Sequence, residues 1–359
     1  MKKVPRKFTM IGLVAIVASA AVAVLATGAA ATSSQGSILV CGLMPDTKTS
    51  TRWEQKDRPA LQKAFKAAGV PARIVNAQGS AQTQKTQADQ CIADGAKVLI
   101  IAPLDAGSAA AIEKAALKQG VKSIDYDRQV EGGVAALYTS FDGRAVGVTQ
   151  AKSVILGLKK NGTYGKKPVI ASLWGGSEDA NAHLFKSGVD ATLNPLYKNG
   201  TLVKGQQQFV PGWNNQTAGT IFQQMLIKAS NKIDGVVAAN DGIANAVVVA
   251  LQAARLDPLP LSGQDATTQG IQNVIAGWQT ASVWKDERKL AAATATAAIR
   301  LARGQKPPTT GFVKTKGRKL EPAYLISTKM ITKANWKQLL TSGYYKRSDI
   351  CVGDYRKYC

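Results

Sequence analysis

From residue 37 onward, short apolar runs alternate with longer stretches of amphipathic spacing. Ser37–Met44 reads as a buried strand, and Arg52–Ala68 as a helix that Gly69 stops. Strands over Ala72–Asn76, Val98–Ala102, Val121–Tyr126 and Tyr138–Ser140 interleave with helices over Thr83–Ala93, Ala109–Lys118 and Gly143–Leu158. Short, uniformly apolar strands separated by helices predict a parallel sheet covered on both faces. The alternation then restarts. Strands over Pro168–Trp174, Gly205–Phe209, Gly235–Ala239, from Leu261, and over Gln279–Val283 alternate with helices over Asn181–Leu196, Asn215–Lys228, Ile243–Ala254, Thr268–Ala276 and Glu287–Arg303. Tyr324–Ile326 reads as a last strand, and Trp336–Leu340 follows it. The fold class expected is α/β, built from two similar halves.

The polar residues of interest fall where strands end. Asp46 follows the first strand, and Arg52-Trp53 opens the first helix. Asp127-Arg128, Asn240-Asp241, Asp265 and Lys285 follow later strands. In open parallel sheets the carboxyl ends of the strands form the binding crevice. Asp, Asn, Arg and Lys there suit the hydroxyls of a neutral polyol, and Trp offers an apolar face for its C–H surface. Each Asp or Asn could also be a helix cap. Six such junctions spread over both halves favour a cleft over six separate caps.

Charge tests that reading. Lys and Arg number 46 against 23 Asp and Glu, a net charge of +23 in 359 residues. Lys2, Lys3, Arg6 and Lys7 precede an uncharged apolar stretch from Thr9 to Ala31, which ends in small residues. Residues 1–31 read as a secretory signal peptide, with an uncleaved single-span anchor as the alternative. Their removal leaves 23 − 4 = +19. A lipid anchor on Cys41 is rejected, because Val40 is not a small residue and the position lies within a strand. Export permits disulfides. Four cysteines allow three pairings, and Cys351–Cys359 and Cys41–Cys91 are the candidates, the near pair closing the shorter loop. No His/Cys cluster supports a metal, and the single histidine, His183, reads as a surface or cleft-edge residue.

The ordered set Pro45-Asp46 with Arg52-Trp53, Ile124-Asp125-Tyr126-Asp127-Arg128, Phe141-Asp142 and Gly175-Gly176-Ser177 with Asn181 resembles the periplasmic-type sugar-binding proteins of bacterial ABC importers. So do Gly212-Trp213, Ala239-Asn240-Asp241, Ser262-Gly263-Gln264-Asp265, Val283-Trp284-Lys285 and Gly343-Tyr344-Tyr345. The resemblance covers roughly residues 37–350 and is strongest to the D-xylose and multiple-aldose branch. It implies two Rossmann-like lobes, a type I arrangement joined by three crossovers, closing on one monosaccharide without cofactor or chemistry. The first lobe is expected over 37–142 plus about 266–300, the second over 143–265 plus about 301–340, with a tail at 341–359. Carried over by position, Arg52, Asp127 and Arg128 would bond the sugar from the first lobe. Asn181, Asn240, Asp265 and Lys285 would do so from the second, with Trp53 and Trp213 as stacking platforms. Around Ser177–Asn181 the chain is one residue shorter than the pattern common in relatives, which leaves the neighbours of Asn181 in the cleft open. Trp174, Trp278, Trp284 and Trp336 read as core, and Asp142 as a hinge or cap residue. The implied partners are the ABC permease subunits, with a chemoreceptor or sensor kinase as a further partner class. D-xylose is the favoured ligand, and glucose, galactose or arabinose the alternatives.

Rival classes fare worse. No Ser/His/Asp set is available with one histidine. Paired carboxylates such as Asp127 and Asp265 could serve glycoside hydrolysis, but Arg and Lys accompany them, which suits holding over acid catalysis. Sugar-responsive repressors share the two-lobe core but need an N-terminal helix-turn-helix. Here an apolar segment stands in its place, and basic clusters such as Lys314–Lys319 are dispersed, so no nucleic-acid partner is expected. The positive surplus fits electrostatic retention near an anionic cell envelope.

Overall fold

The computed structural model describes residues 38–315 and 318–359. The signal-peptide reading of residues 1–31 lies outside the described residues. Strands β1 (Val40–Met44), β2 (Ala72–Asn76), β3 (Val98–Ile101), β4 (Lys122–Tyr126) and β5 (Leu137–Phe141) pair in parallel in the order β5-β4-β3-β1-β2. Helices α1 (Arg58–Ala67), α2 (Ala81–Ala93) and α3 (Ala106–Lys118) connect them. Every residue of β1, β3 and β5 is buried, as the apolar runs required. One face of this sheet packs on α1, the other on α2 and α3.

The second lobe begins at α4 (Gly143–Lys160), whose N-terminus Asp142 caps by accepting from the Ala145 amide at 2.9 Å. Strands β6 (Val169–Trp174), β7 (Val203–Phe209) and β8 (Gly235–Ala238) follow, with β6 between the other two. Their helices are α5 (Ala180–Lys198), α6 (Asn215–Lys228), α7 (Asp241–Ala253) and α8 (Thr268–Ala276). Single bridges Val236–Leu261 and Gln264–Val283 extend the sheet to β9 (Ala281–Trp284). Helices α4 and α5 cross in backbone contact. A Cβ on Gly188 would stand 2.1 Å from the Arg144 carbonyl oxygen, and one on Gly147 1.9 Å from that of Phe185.

Two of the expected lobe boundaries are corrected. The first crossing lies at Asp142, between β5 and α4. Residues 266–284 belong to the second lobe, because β9 bridges into its sheet and α8 packs on α7. After α9 (Glu287–Ala302) has packed on the first sheet, β10 (Gly311–Thr315) and β11 (Arg318–Ile326) add to that sheet through β5. The chain then returns to the second lobe as β12 (Lys329–Thr332), antiparallel to β9. The crossings therefore lie at Asp142, Lys285-Asp286 and Ser327-Thr328, and Tyr324–Ile326 is not the last strand. Strand pairing decides membership, and spacing along the chain does not carry that information. α10 (Gln338–Thr341) and α11 (Arg347–Ile350) close the tail, whose Trp336, Leu339, Tyr344 and Tyr345 pack on α8 and Trp284.

Both candidate disulfides are formed. Cys41–Cys91 ties β1 to α2 across 50 residues, and Cys351–Cys359 closes an eight-residue separation in the tail. Among the described residues, no helix is long and apolar enough to cross a membrane.

Candidate functional site

All nine residues expected to meet a ligand line one closed cavity between the lobes. Arg52, Trp53, Asp127 and Arg128 face it from the first lobe. Asn181, Trp213, Asn240, Asp265 and Lys285 face it from the second. Each is at least nine-tenths buried.

The first-lobe wall depends on an irregular turn. The sequence suggested one helix from Arg52, but Trp53–Asp57 forms a π-helical turn before α1. A π turn is wider than an α turn, so residues five apart come to the same side. Arg52 is accordingly gripped by Asp57, with Nε–Oδ2 2.7 Å and Nη2–Oδ1 2.8 Å. Its remaining nitrogen, Nη1, donates to Asp127 Oδ1 at 2.9 Å, at the cavity wall. Tyr126 donates to Asp57 at 2.6 Å, and Tyr344 of the tail donates to Glu287 at 2.6 Å, behind Arg52. Asp57 and Asp127 compensate a fully buried guanidinium, whose isolated burial would be costly.

Asp127 is the centre of the site. Burial pushes its carboxyl up, but Arg52, Lys285 and Arg128 outweigh that and hold it well below the usual carboxylate range. Lys285 Nζ lies 3.2 Å from Asp127 Oδ1 and 3.5 Å from Asp265 Oδ1, and faces the rings of Phe141 and Phe185. The Asp127 carbonyl accepts from Ser140 Oγ at 2.7 Å, Asn181 Nδ2 at 2.9 Å and Tyr138 at 3.0 Å. Those bonds hold Asp127 at φ +61°; Trp213 (φ +54°) and Asp265 (φ +92°) are also left-handed. Such backbone costs about 1–3 kcal/mol per residue and persists only where surroundings over-determine it, typically at binding sites.

Tryptophans bound the cavity on both lobes. Trp53 donates to Thr49 Oγ1 at 3.1 Å, and the guanidiniums of Arg52 and Arg128 lie 4.7 and 5.2 Å from its ring centre. Trp213 donates to Asp179 Oδ2 at 3.2 Å and meets Phe185 edge-on. Gly175 makes room for it, since a Cβ there would fall 2.1 Å from the indole ring.

The lobes are closed on each other. Arg128 Nε lies 2.9 Å from Asp179 Oδ2, and Asn181 reaches Asp127 as above. Two longer bonds, Ser50 Oγ to Asp265 Oδ2 at 3.3 Å and Asn240 Nδ2 to the Thr49 carbonyl at 3.5 Å, complete the seam. Three cations (Arg52, Arg128, Lys285) and three carboxylates (Asp127, Asp179, Asp265) line the cavity, so its formal charge sums to zero. Asp265 Oδ1 and Gln264 Oε1 are buried acceptors with no hydrogen bond among the described residues.

Sequence reasoning missed Thr49, Ser50, Asp179, Phe185 and Gln264. Asp179 sits in the segment whose register with relatives was in doubt, and it also caps α5 through the Asn181 amide at 2.9 Å. Thr49 and Ser50 carry no signal beyond the loop after β1. The residues set aside as bland are so placed. Trp174 and Trp336 are buried in core clusters, and His183 is exposed, its ring meeting the Ser177 carbonyl at 2.9 Å. Among the described residues, no group of His, Cys, Asp and Glu could hold a metal ion.

The periplasmic binding protein domain family matches residues 41–306. The D-xylose-binding periplasmic protein of Escherichia coli K12 is 33% identical over 86% of this chain and 92% of its own length. A multiple sugar-binding periplasmic protein of Azospirillum brasilense is 33% identical over 90% of this chain and 94% of its own. Among solved structures, an ABC transporter solute-binding protein of Clostridium phytofermentans with bound β-D-glucose superposes with a TM-score of 0.80. It is 28% identical and covers 87% of this chain and 99% of that one. The two-lobed α/β fold and these matches agree, and the family is a non-catalytic binding class. The chain belongs to the periplasmic binding protein family, in its sugar-binding branch related to the D-xylose- and multiple-sugar-binding proteins.

Proposed function

We propose that this protein is the extracytoplasmic receptor of an ABC sugar importer and captures a single aldose, D-xylose, by closure of its two lobes. The observation that carries the reading is the cavity itself. It is charge-balanced, bounded by Trp53 and Trp213, and presents buried acceptors on Asp265 and Gln264. A neutral ring rich in hydroxyls supplies donors to those acceptors and to Asp127. It also accepts from the fork of Arg52 or Arg128, which stays charged throughout. A sugar acid or an amine would upset the balance of three cations against three carboxylates. Closure exchanges water for fixed hydrogen bonds, and the ligand shifts the population toward the closed form by its differential affinity. The closed surface is what a permease would read. The sequence at residues 1–31 and the family both support placement outside the cytoplasm.

D-xylose is favoured because the E. coli relative that shares a third of its residues carries that name. A second reading, in which a hexose such as glucose is preferred, is favoured by the Clostridium structure with β-D-glucose. Isothermal titration of the purified protein against free pentoses and hexoses decides between them. Tightest binding of D-xylose supports the first reading and tightest binding of D-glucose the second. No heat with any aldose would overturn both.

A further inference from the structure

Beside the closed cavity runs a second, larger space of about 800 Å³ between the lobes. Its first-lobe wall is the loop at Lys48–Thr51 with Gln55. Its second-lobe wall is formed by the facing surfaces of α6, α7 and α8. Three residues, Thr49, Ser50 and Asn240, line both spaces. The partition is therefore the seam made by Ser50–Asp265 at 3.3 Å and Asn240–Thr49 at 3.5 Å, both long hydrogen bonds. By contrast, Arg128–Asp179 locks another edge of the cavity with a 2.9 Å ion pair.

The chemistry of the groove is unusual for this chain. On a protein of net charge +23, the groove is lined by one lysine, Lys48, and one carboxylate, Asp241. Asp241 is buried and already bonded to Gln279, Ser282 and the Thr267 amide. Apart from the apolar Val249, the rest are amides, hydroxyls and small residues: along α6, Gln216, Thr220 and Gln223 present neutral side chains, and Asn245 does so from α7. A lining of this kind pairs with neutral hydroxyls and rejects charged partners.

We propose that this groove is a second saccharide subsite, which lets the protein take a sugar already linked through one hydroxyl: a glycoside or a disaccharide. One ring occupies the closed cavity, between Trp53 and Trp213 and among the charged side chains described above. The linked group passes between Ser50 and Asn240 and lies along α6 and α7. The two long seam bonds are the ones given up, and the substituent's own oxygens replace them. No aromatic side chain lines the groove, so the second ring adds hydrogen bonds and little stacking, and affinity stays near that of the free ring.

The proposal rests on the sugar-binding reading above, and one experiment separates the two. The purified protein is titrated calorimetrically with D-xylose, D-glucose and D-galactose, with their methyl glycosides, and with xylobiose, cellobiose and maltose. The same titrations are repeated on Thr220→Trp, which fills the groove from an exposed helix position. The result expected is a disaccharide or glycoside bound within about tenfold of its parent sugar. Thr220→Trp should weaken the disaccharide more than tenfold and leave the free sugar unchanged. Binding of a free sugar with no linked form detected overturns the subsite and leaves the receptor reading intact. A disaccharide bound equally by Thr220→Trp also overturns the subsite. Binding of neither class overturns the reading beneath it.

Discussion

Arg128 and Asp179 lie on opposite lobes and meet with Nε 2.9 Å from Oδ2, buried at the edge of the ligand cavity. The contact joins the two lobes across the mouth of the cavity. It links closure of the cleft to a charged hydrogen bond, which is typically worth about 1.5–3 kcal/mol. Asp179→Ala should therefore raise the Kd for the preferred sugar roughly ten- to hundredfold. The arrangement within each lobe should be unaffected. Calorimetry reads the affinity, and small-angle scattering with saturating sugar should show a more open average shape than the native protein.

Trp213 has the room it occupies because residue 175 is glycine. A methyl group there would lie 2.1 Å from the indole. A rigid ring cannot yield as a flexible chain end can. Gly175→Ala should therefore displace Trp213 and weaken sugar binding by at least tenfold, close to the effect of Trp213→Ala. If Gly175→Ala binds as the native protein does, Trp213 is not a ligand platform.

Stability should fall as the pH rises from about 5 to 8. Burial pushes the Glu287 carboxyl up to about 8 and that of Asp241 to about 7, Arg52 pulling Glu287 back in part. Between their ordinary and folded values, the folded chain holds protons that the unfolded chain releases, so each contribution is fully present below the ordinary value and lost through this window. Asp127 acts in the opposite sense, and its contribution disappears only as the pH falls below the ordinary Asp range. A thermal melt series should therefore peak near pH 5. Glu287→Gln should flatten the decline towards pH 8, since an amide does not titrate.

The two disulfides close loops of different length. Chain-entropy arguments assign about 4 kcal/mol to a loop of fifty residues and about 2.5 kcal/mol to one of eight. Replacing Cys41 and Cys91 together by Ala should cost more in urea unfolding than replacing Cys351 and Cys359, whose loop lies in the tail. The reverse order would show that unfolded-chain entropy is not what these bonds act on.

Much of the site was legible because its residues sit at strand ends, where periodicity breaks and a polar residue interrupts an apolar run. Asp127, Asn240, Asp265 and Lys285 are of this kind. Asp179 and Phe185 were not legible: one lies in a loop whose register against relatives was uncertain, the other inside a helix where an aromatic normally reads as core. The π turn at Trp53–Asp57 was missed although Pro59, which has no N–H to continue a helix ladder, marks a break inside Arg52–Ala68.

The sequence by itself determined two α/β halves, the cysteine candidates and the set of polar strand ends, because local periodicity and side-chain chemistry are written residue by residue. Which lobe owns residues 266–284 and 311–326 was decided by strand pairing, a relation between segments that no spacing along the chain records. The charge balance around Asp127 was decided in the same way. Arg52, Arg128 and Lys285 come from three separate segments: Arg52 meets Asp127 within the first lobe, and the Arg128–Asp179 and Lys285–Asp127 pairs form where the two lobes meet.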